Sequence, residues 1–162
     1  MLFRSIIAQT QQRPFFSLSA INSGVKEIRE VLDQAGKGGL FQKSAILFID
    51  EIHRFSKSQQ DSLLGAVEKG VVTLIGATTE NPSFEVNGAL LSRSQVYTLN
   101  ALSKDELNEL LADVIVRDEI LRAKNIHLEE TQSLLKYSGG DARRLLNVLE
   151  LVVESKIGRA HV

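Results

Sequence analysis

Two adjacent carboxylates, Asp50 and Glu51, follow directly on the uninterrupted apolar run Ala45-Ile46-Leu47-Phe48-Ile49. Charges side by side at the mouth of a buried strand repel each other and resist losing water, so the arrangement is costly unless a cation or a proton-transfer task offsets it. Magnesium supplies such an offset. In phosphoryl transfer one carboxylate holds the metal that bridges the phosphates, while a neighbouring group orients or deprotonates the attacking water. Asp50 suits the metal and Glu51 the water. The plain alternative is a strand end whose acids face solvent, and these two residues by themselves leave both readings open.

Further along, Thr78 closes a second apolar run and opens the polar stretch Thr78-Thr79-Glu80-Asn81-Pro82. Neighbouring strands of a parallel sheet end on the same side, which brings a hydroxyl toward the two acids where a water or a terminal phosphate needs a hydrogen-bonding group. Taken alone, Thr78 is an ordinary turn residue. Arg93 follows a short apolar helix, where an exposed arginine ordinarily makes a surface ion pair. Arg143 and Arg144 stand in the first turn of a helix and oppose its dipole, with Asp141 at the cap relieving part of the cost. Arginines placed against the local field point to an anion nearby, and a pair of surface ion pairs is the alternative. The histidines His53, His127 and His161 have no ligand spacing and no cysteine partners, which speaks against a zinc site. His53 reads as a loop residue or as one that supports the acids without touching the ligand.

The elements that must carry these groups follow from periodicity. Residues 2–10 read as the tail of a helix that has no start signal. Residues 15–19, short, aromatic and preceded by Pro14, read as a strand. Val25, Ile28, Val31, Leu32 and Ala35 recur at helical spacing until the glycines from Gly36 onward. The run 45–49 has the continuous apolarity of a parallel strand covered on both faces. Ser56 caps the next helix, residues 71–77 read as a second buried strand, residues 88–91 as a short helix and residues 96–99 as a further strand. Alternation of strand and helix argues for a mostly parallel α/β sheet. From Ala101 the pattern changes: Ser103 and Glu106 form a capping box ahead of the stripe Leu107, Leu110, Leu111, Val114 and Ile115. Two more helices follow, at 129–137 and 141–154, with Gly139 and Gly140 between them. The expected organisation is an α/β part over residues 1–100 and an all-helical part over 101–155. Residues 156–162 look like translated sequencing-adapter sequence and are read as a non-native tail.

Composition narrows the classes. At 162 residues the chain is long enough for a core of its own, and with no cysteine it has no disulfide framework, thiolate metal site or thiol nucleophile. A reducing compartment, the cytoplasm, is expected. No apolar run approaches the roughly 20 residues that span a bilayer. A net charge of -1 gives no global attraction to nucleic acid, so a DNA contact would need a local patch or a further segment.

Ile46-Leu47-Phe48-Ile49-Asp50-Glu51-Ile52-His53-Arg54-Phe55, with Lys57-Ser58-Gln59-Gln60-Asp61, resembles the Walker B segment of the replication-associated recombination protein A family of AAA+ ATPases, whose eukaryotic relatives interact with Werner helicase. Ile75-Gly76-Ala77-Thr78-Thr79-Glu80-Asn81-Pro82-Ser83-Phe84 resembles that family's sensor 1 region. Leu90-Leu91-Ser92-Arg93 resembles its arginine-finger region, and Gly140-Asp141-Ala142-Arg143-Arg144-Leu145-Leu146-Asn147 its sensor 2 helix. The resemblance implies a P-loop NTPase parallel sheet followed by a helical lid subdomain, using ATP and magnesium. It implies a homo-oligomeric DNA-maintenance factor at stalled forks and on single-stranded, forked or gapped DNA. Such a factor would be nucleoid-associated in the cytoplasm, off the membrane, and partnered by fork proteins such as single-strand-binding protein. By resemblance, Asp50 would hold magnesium, Glu51 and Thr78 would act on the water and phosphate, Arg93 would serve the neighbouring subunit's ATP, and Arg143, preferred to Arg144, the nucleotide of its own subunit.

One departure is large. The family's glycine-rich phosphate loop, ending in Gly-Lys-Thr, has no counterpart in this sequence. Residues 2–10 match the tail of the helix that such a loop begins, and the family's C-terminal assembly domain is also lacking. The strand of that loop would lie between residues 71–75 and 96–99. The chain therefore reads as a truncated fragment of a working ATPase that hydrolyses no ATP alone, because the amides and lysine that cradle phosphates are missing. The competing readings are a non-hydrolysing AAA+ interaction module and a clamp-loader or branch-migration type of subunit. The continuation Glu80-Asn81-Pro82-Ser83-Phe84 does not fit the latter.

Overall fold

The apolar run that ends in the two acids forms the middle strand of the sheet. In the computed structural model, which describes residues 10–11, 13–37, 43–124 and 126–155, three strands pair in parallel in the order β1 (Phe15–Ser19), β2 (Ala45–Asp50), β3 (Val72–Gly76). Register runs from Phe15↔Ile46 to Ser19↔Asp50 on one side and from Ala45↔Val72 to Ile49↔Gly76 on the other. Side chains alternate across a strand, and β2 is buried through both phases. Ala45, Leu47 and Ile49 join a core with Ile28 and Leu63, and Ile46 and Phe48 are buried as well.

Between these strands run the helices α1 (Val25–Gly36) and α2 (Lys57–Glu68), which pack on one another. Ser56 caps α2 in a reciprocal box with Gln59, as its sequence position implies. At the amino edge of the sheet Arg13 acts as a clasp. Its Nε donates to the Ser44 carbonyl at 2.6 Å and its Nη2 to Ser44 Oγ at 2.5 Å and Thr73 Oγ1 at 2.6 Å, joining the approaches to all three strands.

After β3 the chain makes two short helices, α3 (Pro82–Glu85) and α4 (Gly88–Leu91), capped by Asn81 and Asn87. Sequence reading placed only a polar turn where α3 begins. Gln60, wholly buried on α2, fixes this segment. Its Nε2 donates to the carbonyls of Phe55 at 3.0 Å and Glu85 at 3.2 Å, and its Oε1 accepts from the Asn87 amide at 2.6 Å. Asn87 also donates its side-chain amide to Asp61.

Two expectations about strands change. Residues 96–99 are not a strand: Val96, Tyr97 and Leu99 are exposed and make no ladder. A strand exists only by pairing, and no described strand lies alongside these residues, so β propensity has nothing to act through. Residues 72–76 do form a strand, but in it only Val72 is buried, so it is not the buried strand expected, and with β1 it is one of the two outer strands. Its other edge has no partner among the described residues.

The chain divides into two compact units, Met1–Val96 and Tyr97–Val162. The second is helical throughout its described residues: α5 (Lys104–Arg117), α6 (Glu119–Ala123), α7 (Gln132–Ser138) and α8 (Ala142–Ser155). The Ser103 amide donates to Glu106 Oε2 at 2.8 Å and the Glu106 amide to Ser103 Oγ at 3.3 Å, and that backbone donor at Ser103 holds the Glu106 carboxyl below its usual range. The helix expected from 103 ends at Arg117, and Asp118, whose carboxylate accepts from the amides of Ile120 and Leu121, starts α6, a helix the sequence reading did not include. Leu107, Leu111, Leu134, Leu135, Leu145 and Leu149 form the core of this unit. No described helix is long and apolar enough to cross a membrane. The expected helix tail at 2–10 lies outside the described residues except for Thr10, which is helical, and residues 156–162 lie outside them entirely.

Two substitutions test this packing. Gly140 has φ +87°, and a Cβ there would stand 2.8 Å from Ala101 Cβ and 3.2 Å from the Leu102 carbonyl, whose own amide donates to the Gly140 carbonyl. Gly140→Ala is expected to destabilise the second unit by about 1–3 kcal/mol in urea denaturation, the cost of forcing a side chain into that conformation. Gln60→Leu leaves the Asn87 amide and the Phe55 carbonyl without their partner. It should lower stability by about 1–3 kcal/mol for each group stranded, and a loss near zero would show that the segment does not depend on Gln60.

Candidate active site

Parallel pairing brings the carboxyl ends of β2 and β3 together, and backbone hydrogen bonds continue past the strands. The Ala77 amide donates to the Ile49 carbonyl at 2.9 Å and the Ile52 amide to the Ala77 carbonyl at 3.0 Å. Gly76 allows this approach, because a Cβ there would meet Ile52 Cδ1 at 3.1 Å and Cγ2 at 3.3 Å, and Ile52 is buried. Glu51, at the turn between β2 and the short 3-10 helix Ile52–Arg54, has φ 55° and is the one non-glycine residue with positive φ among those described. A side chain in the left-handed region costs energy relative to glycine, and such strain collects where a particular side chain must stand at a particular point.

The 3-10 turn carries His53 back beside Glu51. His53 Nδ1 lies 3.3 Å from Glu51 Oε2 and 2.9 Å from Thr78 Oγ1, with only 14% of the histidine side chain and 26% of the glutamate side chain exposed. Thr78 Oγ1 also accepts from the Glu80 amide at 3.0 Å, and Thr79 Oγ1 donates to Glu51 Oε2 at 3.4 Å. Asp50 ends β2 with an exposed side chain, and its carbonyl accepts from the Ala20 amide at 3.1 Å, tying the loop after β1 to the same edge. Asp50, Glu51 and Thr78 thus lie at one edge of one sheet. His53, read from the sequence as a loop residue or one supporting the acids, joins Glu51 there, and so does Thr79, to which sequence reading gave no part. The signal for His53 was its place two residues beyond Glu51, uninformative until the strained turn folds it back.

Arg93 sits elsewhere in the first unit. Its Nη2 pairs with Glu68 Oε1 at 2.8 Å, each side chain 44% exposed, and its Nη1 donates to the Ala89 carbonyl at 3.0 Å and to Ser92 Oγ at 3.1 Å. The guanidinium is therefore held against its own chain. Arg143 belongs to the second unit, where with Arg144 it lines an open groove of about 650 Å³ beside Gly139, Gly140 and Asn100. Asp141 Oδ1 accepts from the Arg144 amide at 2.9 Å, and this donor, ahead of the nearby guanidinium charges, holds the Asp141 carboxyl below its usual range. The groove offers two cations and a helix start to an anion.

Comparison with known proteins agrees with this architecture. The family described as "ATPase family associated with various cellular activities (AAA)" matches residues 1–102. The chain is 48% identical over 152 residues to "Replication-associated recombination protein A" of Haemophilus influenzae, covering 92% of this chain and 34% of that protein. It is 45% identical over 152 residues to "ATPase WRNIP1" of Dictyostelium discoideum, covering 93% of this chain and 17% of that protein. The chain thus spans only a minor part of the length of these curated relatives. A RuvB mutant from Thermotoga maritima shares the fold with a TM-score of 0.70 at 23% identity, covering 93% of this chain and 51% of that one. With its parallel sheet, its carboxylate-bearing edge and a family match across its first 102 residues, the chain belongs to the ATPase family associated with various cellular activities.

Proposed function

We infer that this chain is the hydrolytic part of an ATPase serving DNA replication and recombination. The observation that supports this most directly is the gathering of Glu51, His53 and Thr78 at the sheet edge where Asp50 ends the buried strand. A carboxylate held in a strained turn beside a hydroxyl is equipped to place a water and accept its proton. Glu51 is assigned that task, and Thr78 the hydrogen bond to the water or the terminal phosphate oxygen.

The donor set at Asp50 fits magnesium. One hard carboxylate at the carboxyl end of a parallel strand is the kind of ligand magnesium takes when substrate phosphates and waters complete its octahedron. Bound magnesium-ATP would supply the polarised phosphoryl group. Asp50 would anchor the metal, and Arg143, beside the groove in the second unit, would bind nucleotide phosphate in its own subunit. The sequence holds no glycine-rich loop ending in Gly-Lys-Ser or Gly-Lys-Thr. The amides that grip the phosphates are thus outside this chain's repertoire, and hydrolysis is assigned to the complete protein. There Arg93, released from Glu68, would reach a neighbouring subunit's ATP in a homo-oligomer. DNA as partner, at stalled forks and in single-stranded or gapped form, with fork proteins such as single-strand-binding protein beside it, is proposed from the relatives' roles in replication and recombination, and a cytoplasmic, nucleoid-associated location with it.

Kinetics of the complete protein test these roles. Glu51→Gln should keep nucleotide binding and slow ATP hydrolysis by about 10²–10⁴-fold, since the proton acceptor is lost while the metal ligand stays. An ordinary turnover rate would remove Glu51 from the mechanism. Arg93→Ala should leave binding by a single subunit intact yet depress hydrolysis in mixed assemblies by more than simple dilution of active subunits. A strictly proportional decline would make Arg93 a structural residue paired with Glu68.

A further inference from the structure

His53 has no part in the roles assigned above, yet it is the side chain that touches both Glu51 and Thr78. Its Nδ1 stands 2.9 Å from Thr78 Oγ1 and 3.3 Å from Glu51 Oε2. A ring nitrogen in that position is either a donor or an acceptor, and the surroundings distinguish the two. A bare Nδ1 would accept the Thr78 hydroxyl proton, but its lone pair would then face the carboxylate oxygen at 3.3 Å, with repulsion and no hydrogen bond between them. A protonated Nδ1 donates to Thr78 Oγ1 and sets the positive end of its N–H beside Glu51 Oε2 at 3.3 Å, and both contacts become favourable.

We propose that His53 is a positioning residue, Nδ1-protonated, that couples Glu51 to Thr78 and so fixes which atoms of each remain for the reaction. The consequence for Thr78 is specific. Its oxygen accepts from Nδ1 and also from the Glu80 amide at 3.0 Å, so both lone pairs are engaged and its own proton is turned outward as a donor. A hydroxyl so arranged is suited to a phosphate oxygen or to the oxygen of a water. At Glu51 the nearby Nδ1–H and the weak Thr79 donor both fall on the Oε2 side, leaving Oε1 as the oxygen that accepts the proton of the attacking water. The turn explains the cost: the left-handed backbone at Glu51 is what lets the 3-10 turn return His53 to the same oxygen.

This coupling rests on the hydrolytic reading for its consequence, while the hydrogen-bond assignment stands on geometry alone, and the experiment separates them. In the complete protein labelled with 15N-histidine, solid-state NMR reads the protonation of each imidazole nitrogen, and the His53 signal is identified by its loss in His53→Asn. Nδ1 bearing hydrogen is the expected result, and a bare Nδ1 overturns the proposal whatever the ATPase activity. In steady-state kinetics, His53→Ala should lower kcat roughly tenfold or more with KM for ATP little changed, as removal of an outer partner does. His53→Asn, whose side-chain N–H falls near the place of Nδ1, should recover most of that loss. Equal losses in the two variants, or no loss in His53→Ala, defeat the coupling. A complete wild-type protein that hydrolyses no ATP defeats the hydrolytic reading instead, and leaves the NMR result to decide the hydrogen bond.

Discussion

Parallel pairing of β2 with both its neighbours is the constraint on which the first unit depends. The register Ile49↔Gly76 places the residues after the two strands level with each other, and the backbone bonds between Ala77, Ile49 and Ile52 extend that alignment into the turns. Neither Glu51 nor Thr78 could find the other through local structure, since they lie 27 positions apart in the chain and the helix α2 intervenes. A slip of one residue would turn every side chain of β3 to the opposite face and take Thr78 away from His53. The core opposes that slip, because Val72 and Leu74 of β3 pack there with Leu47, Ile49, Ile28 and Leu63 and would be turned out of it.

Around this rigid strand the structure places its costs near the chemistry. The strained residue is Glu51, and the wholly buried amide is Gln60, which ties the segment after Thr78 to α2. A buried amide is tolerable only when its bonds are made, and Gln60 makes three, to Phe55, Glu85 and Asn87. The path from Thr78 to Arg93 is therefore anchored in its middle, with Arg93 held at its end by Glu68. Exchange of that surface ion pair for another anion would cost little, since exposed pairs of this kind contribute at most about 1 kcal/mol.

The two units achieve order by different means. In the first, a sheet collects distant segments. In the second, helices are punctuated locally: the box at Ser103 and Glu106, the cap at Asp118, and the left-handed glycines Gly139 and Gly140 before Asp141. Each of these devices acts within a few residues, so each is written in consecutive sequence.

That difference governs what could be read in advance. The helix starts at Ser56 and Ser103, the stop at Gly139, and the buried strand 45–50 ending in its acids were legible, because apolar periodicity and capping are local properties. The α/β class followed from their alternation, and the placement of Asp50, Glu51 and Thr78 at one sheet edge followed from the shared direction of parallel strands. Sequence could not reveal that residues 96–99 would make no ladder, because apolarity expresses a tendency to pair and only a neighbouring strand realises it. Nor could it reveal the helical turn at Pro82, whereas the open edge of β3 was implied by the missing loop strand expected beside residues 71–75. Least visible was His53, a residue with no ligand spacing whose part depends on a left-handed backbone at Glu51 and on a hydroxyl 25 positions away. Residue types were determined by the sequence. Which nitrogen meets which oxygen was decided only by the tertiary structure, because contacts across a parallel sheet depend on register and twist that no local stretch of chain encodes.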